Sequence, residues 1–338
     1  MADDLYDAIP ADRREVVRSA LADAFGPAPL TGLEPVFGGA SGALVYWAEV
    51  ADRPYLLRLE TKRDLFRDPR RGFACMRAAA DAGVAPALHH ADPAAGVAIM
   101  DFVPQRPLTD FPGGPAAVAR ALGELVGRLQ TTPAFPPLAD YPVLLNGMFG
   151  YLRGSGLFAP GLLDPHAEGF ERLREAYPWD SSALVSSHND ANPRNILYDG
   201  ERLWLIDWEL SFRNDPLVDV AILADEFAQT PDLEAELLQA WFGRAPDSAL
   251  RARLTLMRQF TRLFYACIML SMSIGNHAQE TDLAAPSIAE FREAVAQGRL
   301  RAATPEILHS LGKMVLAGFL AGFSAPGFEE ALSIARRG

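Results

Sequence analysis

Four polar residues in the middle of the chain have the types and spacing of a catalytic and metal-binding set. His188, Asp190 and Asn195 form the pattern H-x-D-x-x-x-x-N, and Asp207 closes the apolar run W-L-I a dozen residues later. Between them, I-L-Y and R-L-W-L-I are short strand-like segments on either side of Asp199-Gly200, a turn dipeptide, so the two segments fold back on each other as a hairpin. That hairpin brings Asn195 and Asp207 to one end. An amide oxygen and a carboxylate side by side are hard ligands that suit Mg²⁺ carrying nucleotide phosphates. Asp190, in the loop just before, is placed to accept the proton of a hydroxyl attacking a phosphoryl group. His188 is a loop-packing residue and takes no chemical step.

The elements that must position this set divide by period. Residues 11 to 25 carry apolar side chains at helical spacing. From Leu33 to Glu60, strand-like runs flank the turn F-G-G-A-S-G-A, with Gly38, Gly39, Ser41 and Gly42, and a second turn at Asp52-Arg53-Pro54. The glycine turn lacks the G-K-[ST] ending of a Walker loop and opens a strand, so it is either a plain hairpin turn or a cover for phosphates. In Y-L-L-R-L-E, alternation sets Leu56, Arg58 and Glu60 on one face, and Lys62 falls in the polar turn beyond. Asp68-Pro69 starts a helix that runs through Ala82 to Gly83. Two more strands surround D-P-A-A-G.

The segment F-V-P-Q-R-P-L-T-D-F-P-G-G-P is the best linker, which predicts a β-rich domain over 1–103 and a mainly helical one over 104–338. Helix-period stripes cover 116–129, 166–177, 219–229, 232–243, 247–274, 284–298 and 304–322.

Composition bounds the function. The 338 residues carry a formal net charge of −12, which argues against a general nucleic-acid binder. Cys75 and Cys267 lie in apolar helical patterns without metal-ligand spacing and predict buried thiols in a reducing compartment. The opening M-A-D-D-L-Y-D lacks the order of a secretory signal. The longest apolar runs fall short of the roughly 20 residues that span a bilayer. A cytoplasmic location without a membrane partner is the expectation.

The segment S-H-N-D-A-N-P-R-N-I-L-Y-D-G-E-R-L-W-L-I-D-W-E, followed by N-D-P-L-V-D-V-A, resembles the catalytic core of the aminoglycoside phosphotransferase and choline/ethanolamine kinase superfamily. The N-P-x-N and I-D-W-E wording is nearer its choline-kinase and thiamine-kinase-like branch, and the resemblance extends more weakly over about residues 30 to 325. It implies an α+β, protein-kinase-like bilobal fold, with a small β-rich N-lobe and a larger mainly helical C-lobe. It also implies transfer of the γ-phosphoryl of ATP to a small-molecule hydroxyl, possible acceptors being a cationic amino alcohol or an aminoglycoside. Carried over, Asp190 is the base, Asn195 and Asp207 are the Mg²⁺ ligands, His188 braces the loop, and Asp219 is a structural acid behind it. Arg58 matches the strand cation that binds the α- and β-phosphates. Only two of the 31 cationic side chains are lysine, Lys62 and Lys313, so no lysine stands at that place. Gly38, Gly39, Ser41 and Gly42 match the nucleotide cover, and backbone groups near Asp101 and Val103 match the adenine site. Trp208, Glu209, Trp241 and Tyr265 are acceptor-side candidates.

One departure is plain. Aligning Gly83-Val84-Ala85-Pro86 with the family's G-x-x-P turn puts Gly72 where a helix glutamate should orient the cation. Asp64, Asp68 or Glu60 substitutes, or Arg58 acts unpaired. The competing reading from another class is a nucleotide-binding pseudokinase with a regulatory or scaffold role. A protein kinase fits less well, because H-N-D replaces H-R-D, D-W-E replaces D-F-G, and no A-P-E segment follows.

Overall fold

Alternating apolar residues in the first hundred positions build one antiparallel sheet. The computed structural model describes residues 5–37, 42–301 and 304–337. Strands β1 (Leu30–Val36), β2 (Leu44–Val50), β3 (Arg53–Leu59), β4 (Leu88–Asp92) and β5 (Val97–Asp101) lie in the order β1-β2-β3-β5-β4. The β2–β3 turn is the pair Ala51-Asp52, both at positive φ, with Val50 opposite Arg53. Arg53 and Pro54 therefore belong to β3 and not to the turn, because a two-residue connection with left-handed backbone matches the twist of paired strands. Helix α1 (Arg14–Phe25) covers β4 and β5, and its Val17 and Leu21 join Ile9, Leu33, Tyr46, Leu57, Leu59 and Ile99 in the core beneath the sheet.

Helix α2 (Pro69–Asp81) starts as expected: the Asp68 side chain accepts from Arg70 N, and Pro69 sits where its missing N–H costs nothing. Gly83, at φ 65°, ends it. Helix α3 (Gly114–Gln130) packs along α7 (Pro231–Phe242) so closely that a Cβ on Gly123 would lie 2.4 Å from Leu237 O. Only glycine permits that approach.

Packing divides the chain into two compact units, Met1–Leu138 with Ala183–Ala245, and Ala139–Ser182 with Pro246–Gly338. This grouping is a different division from the boundary expected after residue 103, since α3, α7 and the loop-and-hairpin segment gather with the sheet. The second unit is helical: α4 (Tyr141–Gly154), α5 (Asp164–Ala176), α8 (Ser248–Ser271), α9 (Ile288–Ala296), α10 (Pro305–Phe323) and α11 (Phe328–Ala335). Of these, α4 and α11 fall outside the stripes read from the sequence, although Phe328, Ala331, Leu332 and Ala335 of α11 are buried at helical spacing. Pro142 stands in the first turn of α4, and Gly147, Gly150 and Gly154 dilute its apolar stripe. Helix α10 is long and apolar enough to cross a membrane by length and composition, and it packs on α8 with Gly312 against Leu270 and Gly322 against Gln259. At its polar start, Glu280 receives Lys313 Nζ at 2.6 Å and meets His309 Nε2 at 2.9 Å. Cys75 and Cys267 are buried free thiols, and burial pushes Cys75 up to about 12.

Candidate active site

The loop from His188 to Asn195 hangs between two three-residue ladders. Strand β6 (Val185–Ser187) pairs with β9 (Phe212–Asn214), and β7 (Ile196–Tyr198) pairs with β8 (Leu203–Leu205). Ladders this short carry no readable period, yet they pin both ends of the loop. Helix α6 (Leu217–Phe227) supplies the third anchor. Its Asp219, fully buried, accepts His188 N at 2.8 Å on Oδ2 and Asn189 N at 2.7 Å on Oδ1. Burial drives the Asp219 pKa up, opposed by His188 and by the two backbone N–H donors.

Asn189 is the loop's second fastener. It sits at φ 61°, donates Nδ2 to Ser187 O, Leu210 O and Phe212 O at 3.1–3.2 Å, and receives Asn214 Nδ2 on Oδ1 at 2.7 Å. Asparagine tolerates this left-handed backbone and spends its amide on carbonyls that would otherwise be orphaned. His188 places Nε2 2.8 Å from Ile206 O and stands its ring edge-on to Trp208 at 4.7 Å. It braces the strand end that carries Asp207.

Asp190 follows with both carboxylate oxygens held. Asn192 Nδ2 donates to Oδ1 at 2.8 Å, and Asn195 Nδ2 donates to Oδ2 at 2.8 Å while also reaching Asp190 O at 2.8 Å. These bonds use the nitrogen of Asn195 and leave its carbonyl oxygen as the group available to a cation. The hairpin brings Asp207 beside Asn195 as expected, because Ile206 N bonds Asn195 O at 3.0 Å and Asp207 is the next residue. Asp207 stands at φ 68°, a strained conformation for a non-glycine residue of the kind that concentrates at functional sites. Its Oδ1 is buried without a hydrogen bond, although Arg58 Nη1 lies at an ion-pair distance of 3.1 Å. A buried carboxylate oxygen lacking a hydrogen bond, next to an amide whose nitrogen is occupied, is a donor set that fits a hard divalent cation. Among the described residues no group of three or more His, Cys, Asp or Glu side chains could hold a metal by itself. Water or a ligand must therefore complete any coordination here.

Arg58 enters from the sheet. It lies on the inner strand β3, opposite Val45 on β2 and Ala98 on β5, and is 8% exposed. Glu60 Oε1 accepts its Nε at 2.6 Å, and Glu209 Oε2 lies 3.3 Å from Nη2. Burial works against its charge, but Asp207, Glu60 and Glu209 outweigh that and raise its pKa. Glu209 is pushed up to about 7 by burial and by Asp207, against the pull of Arg58. Of the three acids expected to stand in for the glutamate missing at Gly72, only Glu60 reaches Arg58. Asp64 pairs with Arg67 at 2.5 Å, and Asp68 caps α2.

The remaining expectations are met unevenly. Gly38, Gly39 and Ser41 lie outside the described residues. The carbonyl of Gly42 accepts Thr61 Oγ1, and a Cβ on Gly42 would meet Arg67 Nη1 at 3.2 Å and Lys62 Cδ at 3.5 Å. Two cations thus flank the end of the glycine turn, a neighbourhood that strand alternation does not foretell. Asp101 ends β5 and pairs with His89 at 2.7 Å, and Val103 follows in open chain before Arg106 N bonds Tyr198 O at 2.7 Å. The acceptor-side candidates of the first unit face different partners. Trp208 is 2% exposed, wedged against His188 and Phe135, so its ring belongs to the core. Glu209 faces Arg58, Trp241 donates Nε1 to Gln130 Oε1 at 2.8 Å, and Tyr265 lies in the second unit against Phe264. Asn189 and Asn192 escape sequence reasoning; the one signal for Asn192 is the turn-forming Asn-Pro pair.

A five-stranded antiparallel sheet bearing a buried arginine, joined to a loop and hairpin that present Asp190, Asn195 and Asp207, is the arrangement of the protein-kinase-like phosphotransferase fold. The chain belongs to the phosphotransferase enzyme family, which residues 32–253 match. A choline/ethanolamine kinase family protein from Mesorhizobium loti superposes with a TM-score of 0.68 at 25% identity, covering 96% of this chain and 99% of that one. The choline kinase LicA of Streptococcus pneumoniae shares the fold with a TM-score of 0.61 at 16% identity, over 91% of this chain and 100% of its own. The protein LicA of Haemophilus influenzae is 41% identical over 58 residues, which is 17% of this chain and 22% of that protein. Matches to curated relatives are thus local, spanning about a fifth of each relative's length.

Proposed function

We propose that the protein is a small-molecule kinase that moves the γ-phosphoryl of ATP, with Mg²⁺, to the hydroxyl of a small acceptor. The observation that carries this reading is the Asp190 carboxylate, held at both oxygens by Asn192 and Asn195 beside the Asn195 and Asp207 oxygen pair, with Arg58 3.1 Å from Asp207. Asp190 is the base: its two amide bonds fix the carboxylate plane, so an acceptor hydroxyl is oriented and its proton taken as the oxygen attacks phosphorus. Arg58 binds the α- and β-phosphates through its planar fork, and the end of β5 at Asp101 and Val103 receives the adenine. Asn195 and Asp207 would hold Mg²⁺, which when bound neutralises phosphate charge during transfer. His188, Asn189 and Asp219 touch no reactant in this scheme and keep the loop in register.

A cationic amino alcohol is the favoured acceptor. The likeness to a choline/ethanolamine kinase family protein across nearly the whole chain supports it, and the net charge of −12 is compatible with it. Gly72 alone would favour a pseudokinase, but Arg58 keeps a carboxylate partner in Glu60, which weighs against that alternative. The test is direct. Purified protein with Mg²⁺ and ATP is offered choline, ethanolamine, thiamine and aminoglycosides, and products are read by mass spectrometry. An acceptor phosphorylated on its hydroxyl, and absent with Asp190→Ala, supports the reading. ATP binding without any product across the panel overturns it.

A further inference from the structure

We propose that Glu60 is the positioning residue for Arg58, setting the guanidinium fork from the residue just past the end of the same strand in place of a carboxylate on α2. This rests on the nucleotide reading above. The chemistry begins with the burial of Arg58 on an inner strand, where an unpaired guanidinium is costly and a loosely paired one is free to rotate. Three carboxylates meet it, and their distances differ in a useful way. Glu60 takes Nε at 2.6 Å, whereas Asp207 and Glu209 stand 3.1 and 3.3 Å from Nη1 and Nη2. The inner nitrogen of the fork is therefore pinned, and the two terminal nitrogens carry the longer contacts. Those terminal nitrogens are the pair that engages phosphate oxygens bidentately. Glu60 itself is anchored, since its backbone N bonds Gly96 O at 2.8 Å and its side chain is 8% exposed.

Helix α2 explains why the strand must supply this group. The helix turns Gly72 toward the 3-10 turn at Trp208–Leu210, where a Cβ would rest 3.5 Å from Trp208 O in ordinary contact. A cavity remains there, lined by Arg58, Glu60, Gly72, Met76, Trp208 and Glu209. No side chain from position 72 fills it, and a Cβ there would be accommodated without backbone strain.

The open Cβ position at Gly72 allows a relocation experiment. Glu60→Ala is expected to weaken binding of a non-hydrolysable ATP analogue with Mg²⁺, measured by calorimetry, about ten- to a hundredfold, the loss of one charge-assisted hydrogen bond. KM for ATP should rise by a similar factor while KM for the acceptor holds. Glu60→Gln, which keeps the size and an acceptor oxygen, guards against loss of folding and should weaken binding by about threefold to tenfold. Adding Gly72→Glu to Glu60→Ala should return affinity to within about threefold of the unaltered protein. Unchanged analogue binding in Glu60→Ala overturns the proposal, and so does a folded double variant that recovers nothing. If the unaltered protein does not bind the analogue at all, the nucleotide reading falls with it; if it binds and Glu60→Ala binds equally well, only the role of Glu60 falls.

Discussion

Asn195 serves Asp190 and the cation position with different ends of one amide: Nδ2 lies 2.8 Å from Asp190 Oδ2, and the carbonyl oxygen is left for a ligand. A single side chain thus ties the orientation of the proposed base to the proposed metal position. Removing either residue disturbs both, so their effects on turnover should not add.

Asp190→Ala should lower kcat by about 10²–10⁴, the range for loss of a positioned general base, with ATP-analogue affinity within about threefold of the unaltered protein. Asn192→Ala removes one of the two amides that hold the carboxylate and should cost about tenfold in kcat. Steady-state kinetics with the best acceptor beside calorimetric binding checks both. Equal losses of nucleotide affinity and kcat would contradict a base role.

Chelation by EDTA should abolish phosphoryl transfer, and excess Mg²⁺ should restore it. Asp207→Asn should raise the Mg²⁺ concentration for half-maximal rate about tenfold or more, since a carboxylate ligand becomes a neutral amide. A Mg²⁺ titration of initial rates decides this. An unshifted midpoint would remove Asp207 from the cation site.

Asp219→Ala should destabilise the fold by about 3 kcal/mol, because it leaves the buried N–H groups of His188 and Asn189 without acceptors. Asp219→Asn can offer one carbonyl oxygen but turns an N–H donor toward the other, and should fall between the two. Urea unfolding monitored by circular dichroism measures the difference. Activity of folded Asp219→Ala should also drop, through disorder in the loop that carries Asp190.

His166 gives stability a pH dependence. Burial lowers its pKa to about 4, with Nε2 held by Leu316 O and the ring stacked on Phe319. An unfolded histidine titrates near 6.5, so between about 6.5 and 4 the unfolded chain binds the extra proton. Stability from this group is present above the unfolded pKa and is lost as the pH falls. Lowering the pH from about 7 to about 5 should cost about 2 kcal/mol. His166→Phe should flatten that part of the profile in urea denaturation followed across pH.

Much of the site is legible along the chain because its parts are close together. His188, Asp190, Asn195 and Asp207 fall within about twenty residues, and the Asp199-Gly200 turn between two apolar runs states how the chain returns. A short hairpin has few alternative registers, so the juxtaposition of Asn195 and Asp207 follows from local pattern. The strands read in the first hundred residues are visible for a related reason, as short apolar runs bounded by turn residues.

The partners of Arg58 are a different matter. Glu209 meets it across 151 positions, Asp207 arrives from the same distant turn, and Glu60 stands out from Asp64 and Asp68 only once the side chains are placed. The clasp of Asn189 on three carbonyls and of Asp219 on two N–H groups is equally silent in the letters. So are helix α4, hidden by a proline and glycines, and the three-residue ladder β6–β9. Periodicity and turn chemistry act through neighbours on the chain, and they declare which element forms and what it offers. Which carboxylate satisfies a buried cation is settled by packing and desolvation among groups remote in sequence, and those exist only when the chain is folded.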